Sequence, residues 1–345
     1  MNSRFLGHPR NLAYPSELIN ERVPFLPLSI EQSELAAMIT PNADMPRAPS
    51  GLRHPFSLDD HDAYRIWRAR KLAATEMPEA ITVNNPGELG DTERQALLKT
   101  CQTRNFALFR VGSPPRDIDQ ALRAFGRHIG LLDLDQNLCA EDSGVTAITV
   151  KATETDHTYI PYTNRPLGWH TDGYYNAGDH QVRAWLLYCA RPASEGGANE
   201  LLDHEIAYIR IRDENPDWIR ALMAPDAFTI PSNTEHGEEI RPDHAGPVFS
   251  VSASDGSLHM RYSARQRNVI WKDDALTREA ASFLLDLFKR GDDHIFRYKL
   301  QSGEGVISNN ILHRRDGFRD EASSDAKRLI YRARYYQRLP LPREY

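Results

Sequence analysis

Apolar residues recur at helical spacing in the first half of the chain, after a start that contains many prolines. The segment that follows Ser57 predicts a helix capped by this serine, with acidic residues in its first turn and its basic residues on a solvated face. The apolar positions of this segment are Tyr64, Ile66, Trp67 and Leu72. The chain therefore enters its folded part with a helix.

Two further helices and one strand are predicted before residue 130. The second helix begins with a capping box formed by Thr92 and Gln95 and is followed by a strand over residues 106–111. The third helix covers residues 117–129, because apolar residues recur there three and four positions apart. These residues are Ile118, Leu122, Phe125 and Ile129.

Short β-rich runs dominate the second half of the chain. They start near residues 145 and 183 and recur in PVFSVS, SLHMRY, HIFRYKL, GVISNNIL and RLIYRARYY. Helices interrupt them at residues 203–223, with a break near Pro216, and again before Gly291, which predicts a helix stop. No segment repeats at a fixed period, and no linker segment divides the chain into domains. Helices followed by mostly antiparallel strands predict an α+β fold with a double-stranded β-helix, or jelly-roll, core and flanking helices.

Composition and charge narrow the function classes. With 345 residues, 40% hydrophobic content, a formal charge of −6 and a pI near 6.1, the chain is typical of a globular protein without general attraction for nucleic acid or anionic membranes. Its three cysteines form no disulfide or zinc pattern. The start of the chain lacks the apolar core of a signal peptide, so we expect a cytoplasmic protein.

The domain organisation predicted from this pattern has two parts. Residues 1–56 are expected to form a proline-rich N-terminal arm that lies over the core or contacts a partner, and so offers a route to a homo-oligomer. Residues 57–345 are expected to form a single jelly-roll domain with N-terminal helices.

The segment PLGWHTDGYYN contains a candidate metal site. On an extended strand, His170 and Asp172 would point to the same face and bind one metal ion together. A second histidine would complete a 2-His-1-carboxylate set that holds Fe(II) and leaves positions open, and His313 is the candidate. With 13 histidines in the chain, about one His-x-Asp pair is expected by chance, and HTDG is also typical of a surface turn. The two-residue pattern alone leaves both interpretations open.

Five ordered blocks decide between them. HTDGYY, ASEGGANELLDHEIAY, GPVFSVSASDGSLHMRYSAR, GEGVISNNILHRRDGF and KRLIYRARYY occur in the order found in Fe(II) and 2-oxoglutarate-dependent dioxygenases. The chain resembles the taurine dioxygenase, γ-butyrobetaine hydroxylase and glutarate hydroxylase superfamily over residues 106–336. The resemblance implies that His170, Asp172 and His313 bind Fe(II), that 2-oxoglutarate is the cosubstrate and that O₂ is consumed.

The resemblance also assigns the 2-oxoglutarate contacts. It places Asn199 beside the cosubstrate, where many relatives have Thr or Ser, and an Asn amide can still donate to a carboxylate. It places an arginine for the distal carboxylate on the last strand, because a guanidinium binds a carboxylate with two hydrogen bonds. The even spacing of Arg328, Arg332 and Arg334 predicts that they share one face. Arg328 is the first choice, with Arg332 and Arg334 as rivals or substrate anchors; a solvated basic edge strand is the alternative.

The expected substrate is a small carboxylate-bearing metabolite, because three arginines on one face exceed the need of 2-oxoglutarate. Candidate substrate-binding residues are Arg334, Trp169, Tyr174, Tyr175 and Arg261, although aromatic residues at such positions are often core and Arg261 can equally form structural contacts. The implied reaction hydroxylates a C–H bond and releases succinate and CO₂. Two alternatives stay open: a non-redox jelly-roll metalloenzyme, and a sensor that binds 2-oxoglutarate without turnover.

Overall fold

The computed structural model describes residues 54–135, 144–150, 160–176, 178–235, 238–265, 269–321 and 327–340. They belong to one compact unit that runs from Ala48 to Tyr345. The predicted N-terminal arm lies outside the described residues except for residues 54–56. Among the helices of these ranges, none combines the length and the apolar character needed to cross a bilayer.

Six α-helices lie in the described ranges, and they follow the predicted segments. The helices are α1 His61–Leu72, α2 Asp91–Arg104, α3 Ile118–His128, α4 His204–Glu214, α5 Pro216–Leu222 and α6 Ala275–Arg290. Short 3-10 turns occupy Pro86–Glu88, Ile160–Tyr162 and Gly178–His180.

The strands concentrate in the second half of the described chain, as predicted. The first nine are β1 Ile81–Val83, β2 Phe106–Val111, β3 Val145–Ile148, β4 Leu167–His170, β5 Ala184–Arg191, β6 Glu195–Gly196, β7 Asn199–Leu202, β8 Phe228–Ile230 and β9 Asn233–Glu235. The others are β10 Glu238–Arg241, β11 His244–Gly246, β12 Phe249–Val251, β13 Leu258–Met260, β14 Ile270–Trp271, β15 Phe296–Tyr298, β16 Glu304–Ser308, β17 Leu312–Arg315, β18 Phe318–Arg319 and β19 Leu329–Tyr335.

Two sheets carry most of these strands. A six-stranded sheet has the order β1-β2-β16-β5-β19-β3, and a four-stranded sheet has the order β15-β7-β17-β4. The β1–β2 pair is parallel, whereas the other pairs in both sheets are antiparallel. A three-stranded sheet, β11-β8-β14, and three two-stranded pairs complete the described strands.

The apolar residues form three buried clusters. One contains residues from both large sheets, among them Trp185 of β5, Leu201 of β7 and Ile330 of β19. The second lies between the other face of the six-stranded sheet and the helices α2 and α3, where the rings of Phe109 and Phe125 stack at 4.9 Å. The third surrounds α4, α5 and α6. The periodicity that predicted α3 therefore reflects packing on the sheet.

Two predicted helix caps are wrong, and in both an acidic side chain accepts a backbone hydrogen bond at the start of the helix. The cap of α1 is Asp60, which accepts from the amide of Ala63, and not Ser57. The cap of α2 is Gly90, whose amide donates to Glu93, and not the pair of Thr92 and Gln95. An ionised carboxylate is the stronger acceptor for amides at the positive end of a helix.

The predicted solvated basic face of α1 is also wrong at one position. Lys71 is buried, and its Nζ lies 2.5 Å from Asp203 Oδ2 and 2.7 Å from Glu205 Oε2 at the start of α4. Charged side chains are buried when they are paired, and this lysine joins α1 to the helix that follows β7.

Candidate iron and 2-oxoglutarate site

Three strands of the four-stranded sheet position the candidate metal ligands. On β17, His313 lies directly opposite His170 of β4 and opposite Leu201 of β7. Asp172 lies two residues beyond His170, in the turn that follows the strand, and Gly173 takes a positive φ of 63° there. The prediction that both ligands share one extended strand is therefore wrong, because β4 ends at His170. The turn is nevertheless buried and directs the carboxylate back to the histidines.

The three side chains form the kind of group that holds one metal ion. The Nε2 atom of His170 lies 3.5 Å from Asp172 Oδ1, and that of His313 lies 3.8 Å from the same oxygen. The candidate ligand atoms all lie within 4.8 Å of one another, and all three residues are buried. The structure thus brings together the residues that the sequence predicted as ligands.

Backbone carbonyls set the tautomer of both imidazoles. Nδ1 of His170 lies 2.9 Å from the Gly168 oxygen, and Nδ1 of His313 lies 3.1 Å from the Ile311 oxygen. Because a carbonyl can only accept, each Nδ1 carries the proton and each Nε2 presents a lone pair to the metal position.

The charges at the site also suit a divalent cation. Burial, reinforced by His170, lowers the pKa of His313 to about 3, so this imidazole is neutral. Burial alone would raise the pKa of Asp172, but Arg332 and the two histidines hold it well below its usual value. Two imidazoles and one carboxylate are the donor set of non-haem Fe(II) oxygenases, so the residues present fit Fe(II).

Arg328 is a buried cation that forms no direct pair with an acidic side chain of the described residues. It is 6% exposed, and within the described part of the chain it has no ion pair and no hydrogen bond; its guanidinium lies 5.1 Å from the ring centre of Phe318. Burial lowers its pKa to about 10. Asp320 partly offsets this lowering of the Arg328 pKa but forms no ion pair with the guanidinium. The guanidinium of Arg315 also lies over the ring of Phe318, but it donates to the backbone carbonyls of residues 161, 163 and 165. Among the three predicted arginines, Arg328 is therefore the one with no direct anionic partner in the described part of the chain.

A small recess beside Arg328 contains the predicted amide Asn199. Asn199 lies two residues from Leu201, the neighbour of His313, and so on the same face of β7 about 7 Å along the strand. That separation suits a dicarboxylate that reaches from the metal position to Arg328. The recess is lined by Gly197, Asn199, Leu300, Arg328 and Ile330, among others.

The three arginines of the last strand differ in their partners. Arg332 points to the metal site, with Nη1 3.4 Å from Asp172 Oδ2. Arg334 forms an ion pair with Asp135 and donates to the hydroxyl of Tyr175 at 2.9 Å. A register shift between Leu329 and Ile330 separates Arg328 from the other two. The idea of a single basic face therefore holds for Arg332 and Arg334, and Asp135 compensates the charge of Arg334.

The predicted substrate residues fall into two groups. Tyr174 and Tyr175 come after Asp172 and Gly173, and their half-buried rings lie 5.3 Å apart. Trp169 neighbours His170 on β4 and so faces the other side of the strand, where it stacks on Phe288 at 5.0 Å. Within this set, Tyr175 contacts an arginine of the last strand, Arg334. The ring of Trp169 packs on α6 instead.

The guanidinium of Arg261 contacts backbone oxygens. It donates to the carbonyl oxygens of Tyr174 at 2.8 Å, of His244 at 2.8 Å and of Phe228 at 3.1 Å. The structure therefore connects Arg261 with the loop after the metal ligand and with the three-stranded sheet.

Sequence reasoning missed two residues that organise the site. Asp135 pairs with Arg334 from a position 199 residues earlier, and no local pattern announces such a contact. Asn310 hydrogen-bonds the backbone of Asp172. The sequence analysis placed Asn310 inside one β-rich run, GVISNNIL, which the structure divides into β16 and β17. The available signal was the Asn-Asn pair, because Asn favours turns and tolerates a left-handed conformation.

Comparison with known proteins identifies relatives with related chemistry. A uridine-5'-phosphate dioxygenase from Streptomyces is 30% identical over 186 residues, which are 52% of this chain and 65% of the relative. One from Amycolatopsis is 30% identical over 176 residues, 48% of this chain and 60% of the relative. The chain therefore spans less than two thirds of the length of these relatives.

Solved structures share the fold. Asparagine oxygenase in complex with Fe(II), 3-hydroxyasparagine and succinate has a TM-score of 0.52 at 16% identity, over 89% of this chain and 92% of that one. The non-haem iron oxygenase OrfP with Fe and α-ketoglutaric acid has a TM-score of 0.52 at 15% identity, over 72% of this chain and 81% of that one.

The family itself follows from a match over most of the chain. The model of the taurine catabolism dioxygenase TauD, TfdA family matches residues 68–334. This range includes both histidines, the carboxylate and the arginines described above, and it confirms the resemblance inferred from the five sequence blocks. The chain belongs to the taurine catabolism dioxygenase TauD, TfdA family.

Proposed function

We propose that the protein is an Fe(II) and 2-oxoglutarate-dependent oxygenase that hydroxylates a C–H bond of a small anionic metabolite. In this reaction O₂ supplies one oxygen atom to the hydroxylated product and one to succinate, and 2-oxoglutarate loses CO₂. The observation that carries the proposal is the combination of the buried ligand group His170, Asp172 and His313 with Arg328, a buried guanidinium that forms no ion pair within the described ranges. Family membership supports the same chemistry.

The residues of this chain would hold the reactants as follows. The two Nε2 atoms and the Asp172 carboxylate would bind Fe(II), which with 2-oxoglutarate and O₂ supplies the oxidising chemistry when bound. Arg328 would hold the distal carboxylate of 2-oxoglutarate, and Asn199 would donate a hydrogen bond to it. The surrounding apolar residues, including Trp185 with its ring 4.8 Å from that of His313, exclude water from the ligands.

The two large sheets are proposed to form a double-stranded β-helix, with the site between them. Both sheets contribute to the cluster around Trp185, and the ligands lie on the strand ends of one of them. The likeness of the chain to asparagine oxygenase supports this arrangement.

The expected substrate carries a carboxylate. Arg332, which lies beside Asp172 and is only partly buried, is the remaining cation for such a group, with Tyr174 and Tyr175 on the neighbouring loop. A nucleoside phosphate is the second candidate, because the two curated relatives are uridine-5'-phosphate dioxygenases. Both candidates need a cation near the reacting C–H bond.

The experiment is a substrate panel assayed for succinate with Fe(II), 2-oxoglutarate and O₂. Dicarboxylates, amino acids, betaines and uridine 5'-phosphate are compared with a carboxylate-free alcohol and amine. Stimulation by a carboxylate or a phosphate supports the proposal and identifies the anion. Stimulation by the carboxylate-free alcohol or amine alone contradicts the proposal of an anionic substrate.

The same assay separates the alternative functions. A sensor would bind 2-oxoglutarate without oxygen-dependent succinate formation, and a non-redox metalloenzyme would need neither 2-oxoglutarate nor O₂. Loss of succinate formation in Arg328→Ala at low 2-oxoglutarate, with recovery at high 2-oxoglutarate, would support the cosubstrate assignment.

A further inference from the structure

Asn310 occupies an unusual position in the turn between β16 and β17. It is 1% exposed, and with Asn105 it is one of two non-glycine residues in the described ranges that have a positive φ, 55° for Asn310 and 59° for Asn105. A buried residue in this conformation indicates that its side chain makes contacts that offset the backbone strain.

The side-chain amide of Asn310 uses both its oxygen and its nitrogen on one loop. Its Oδ1 accepts from the amide of Asp172 at 2.8 Å, and its Nδ2 donates to the carbonyl of Asp172 at 2.9 Å and to that of Val182 at 2.7 Å. Only a primary amide offers one acceptor and two donors in this arrangement. Asn310 therefore holds Asp172 from both sides of its peptide backbone and closes the loop 172–182 at its base.

The position of Asn310 in the chain links this contact to a second metal ligand. Asn310 lies three residues before His313, and the turn that contains it leads directly into β17. Asp172 is not held by strand pairing, because β4 ends at His170. The side chain of Asn310 is thus the connection that sets Asp172 relative to the strand of His313.

We propose that Asn310 is a positioning residue of the metal site, which keeps the Asp172 carboxylate in the geometry that binds Fe(II). This inference rests on the proposed iron site. Partners that orient metal ligands commonly change metal affinity by about 10- to 100-fold when they are removed. Asn310 also holds the start of the loop that carries Tyr174 and Tyr175, so its loss should loosen that loop as well.

Asn105 offers a matched control. It is equally buried and has the same backbone conformation, but its side chain has no hydrogen bond to Asp172. Its amide nitrogen donates to Asp203 at 2.8 Å, and its oxygen accepts from Arg338 at 2.7 Å and from Asn309, the neighbour of Asn310, at 3.1 Å. Glycine accepts a positive φ without strain, so Asn310→Gly and Asn105→Gly each remove an amide while keeping the backbone conformation. Asn310→Asp keeps the shape of the side chain and removes both donors.

The test is the dissociation constant for Mn(II) and Fe(II), measured by anaerobic titration calorimetry on the full chain. Melting temperatures of the metal-free variants are measured in parallel. We expect Asn310→Gly and Asn310→Asp to weaken metal binding about 10- to 100-fold, and Asn105→Gly to keep wild-type affinity even where it lowers the melting temperature. Hydrogen exchange should also accelerate in the peptide that contains the Asp172 amide, only in the Asn310 variants.

Three outcomes would overturn the inference. Wild-type affinity in both Asn310 variants would show that Asp172 is held without this amide. Equal weakening in Asn105→Gly would show a general effect of stability. If the wild-type chain itself binds neither metal, the proposed function fails together with this inference. If Asn310→Asp fails to fold, the glycine pair alone decides the question.

Discussion

The three candidate metal ligands can each be tested by substitution. We predict that His170→Ala, Asp172→Ala and His313→Ala each strongly reduce the binding of Fe(II) or Mn(II) and abolish turnover, because each removes one of the three proposed ligand atoms. The fold should stay intact. Anaerobic titration calorimetry measures the binding, and circular dichroism measures the fold. His180→Ala is the control, since His180 lies in the same loop and is exposed. Unchanged binding in all three ligand variants would remove the assignment.

Arg328 tests the cosubstrate assignment. Arg328→Ala should raise the KM for 2-oxoglutarate by a factor of 10 or more, because the distal carboxylate loses a charge-assisted partner of about 1.5–3 kcal/mol. Arg328→Lys should recover part of the loss, since lysine keeps the charge without the planar fork. Arg191 is the matched control: it is a partly buried arginine that donates to the carbonyl of Lys327, and Arg191→Ala should keep the KM.

If Arg328→Ala keeps a normal KM for 2-oxoglutarate and Arg332→Ala raises it, the distal carboxylate of 2-oxoglutarate binds Arg332, beside Asp172, and not Arg328. At this scale the sequence identified the right residue types but not their partners. Arg328, Arg332 and Arg334 are separated by even numbers of residues, which makes them look alike in the sequence. Only the structure shows that Arg328 forms no ion pair within the described residues, that Arg332 faces Asp172 and that Arg334 is paired with Asp135.

Among the secondary-structure elements, the sequence predicted interiors better than ends. The strand over residues 106–111 has the predicted bounds, and α3 begins and ends within one residue of its prediction, because buried apolar periodicity determines both. The caps of α1 and α2 were predicted wrongly, because several polar residues at each start compete for the same amides. The pattern of apolar residues does not determine which of these polar residues accepts the hydrogen bonds.

The start of α2 gives a direct test of that correction. Glu93 accepts from the amide of Gly90 and from both the amide and the side chain of Asn84. Glu93→Ala should lower the free energy of unfolding by about 1 kcal/mol, whereas Thr92→Ala should change it by less than about 0.5 kcal/mol. Urea denaturation at neutral pH measures both. A larger loss for Thr92→Ala would restore the capping box that the sequence suggested.

At the scale of the whole molecule, the buried pair of Lys71 and Glu205 couples folding to pH. Burial would raise the pKa of Glu205, but Lys71 lowers it to about 2. A carboxyl with a lowered pKa in the folded state stabilises the protein above its unfolded pKa, about 4.3, and this contribution is lost as the pH falls toward 2. The folded protein should therefore lose stability across this window.

Glu205→Gln should reduce the loss of unfolding free energy between about pH 4.5 and 2.5, although the variant is less stable at pH 7. Lys71→Met should also reduce it, because Lys71 is the charge that lowers the pKa. Urea unfolding at a series of pH values measures the slope. An acid slope equal to that of the wild type in both variants would assign the acid sensitivity to other carboxyls.

The order of helices and strands was accessible from the sequence, since periodicity is local, and the resemblance of the ordered blocks brought His170, Asp172 and His313 together as candidate ligands. Contacts between distant segments were not accessible: Asp135 with Arg334, Lys71 with Asp203, and Asn310 with Asp172 each join residues more than 130 positions apart. The cytoplasmic location and the homo-oligomer through residues 1–56 stay predictions.

The central claim is that the chain couples 2-oxoglutarate to O₂ at the site of His170, Asp172 and His313. The most direct measurement is mass spectrometry of succinate formed under ¹⁸O₂ by the Fe(II)-loaded protein. We predict that wild-type protein yields succinate with one ¹⁸O atom, and that Asp172→Ala yields none above a metal-free control. Unlabelled succinate, or equal labelling in Asp172→Ala, would contradict the account.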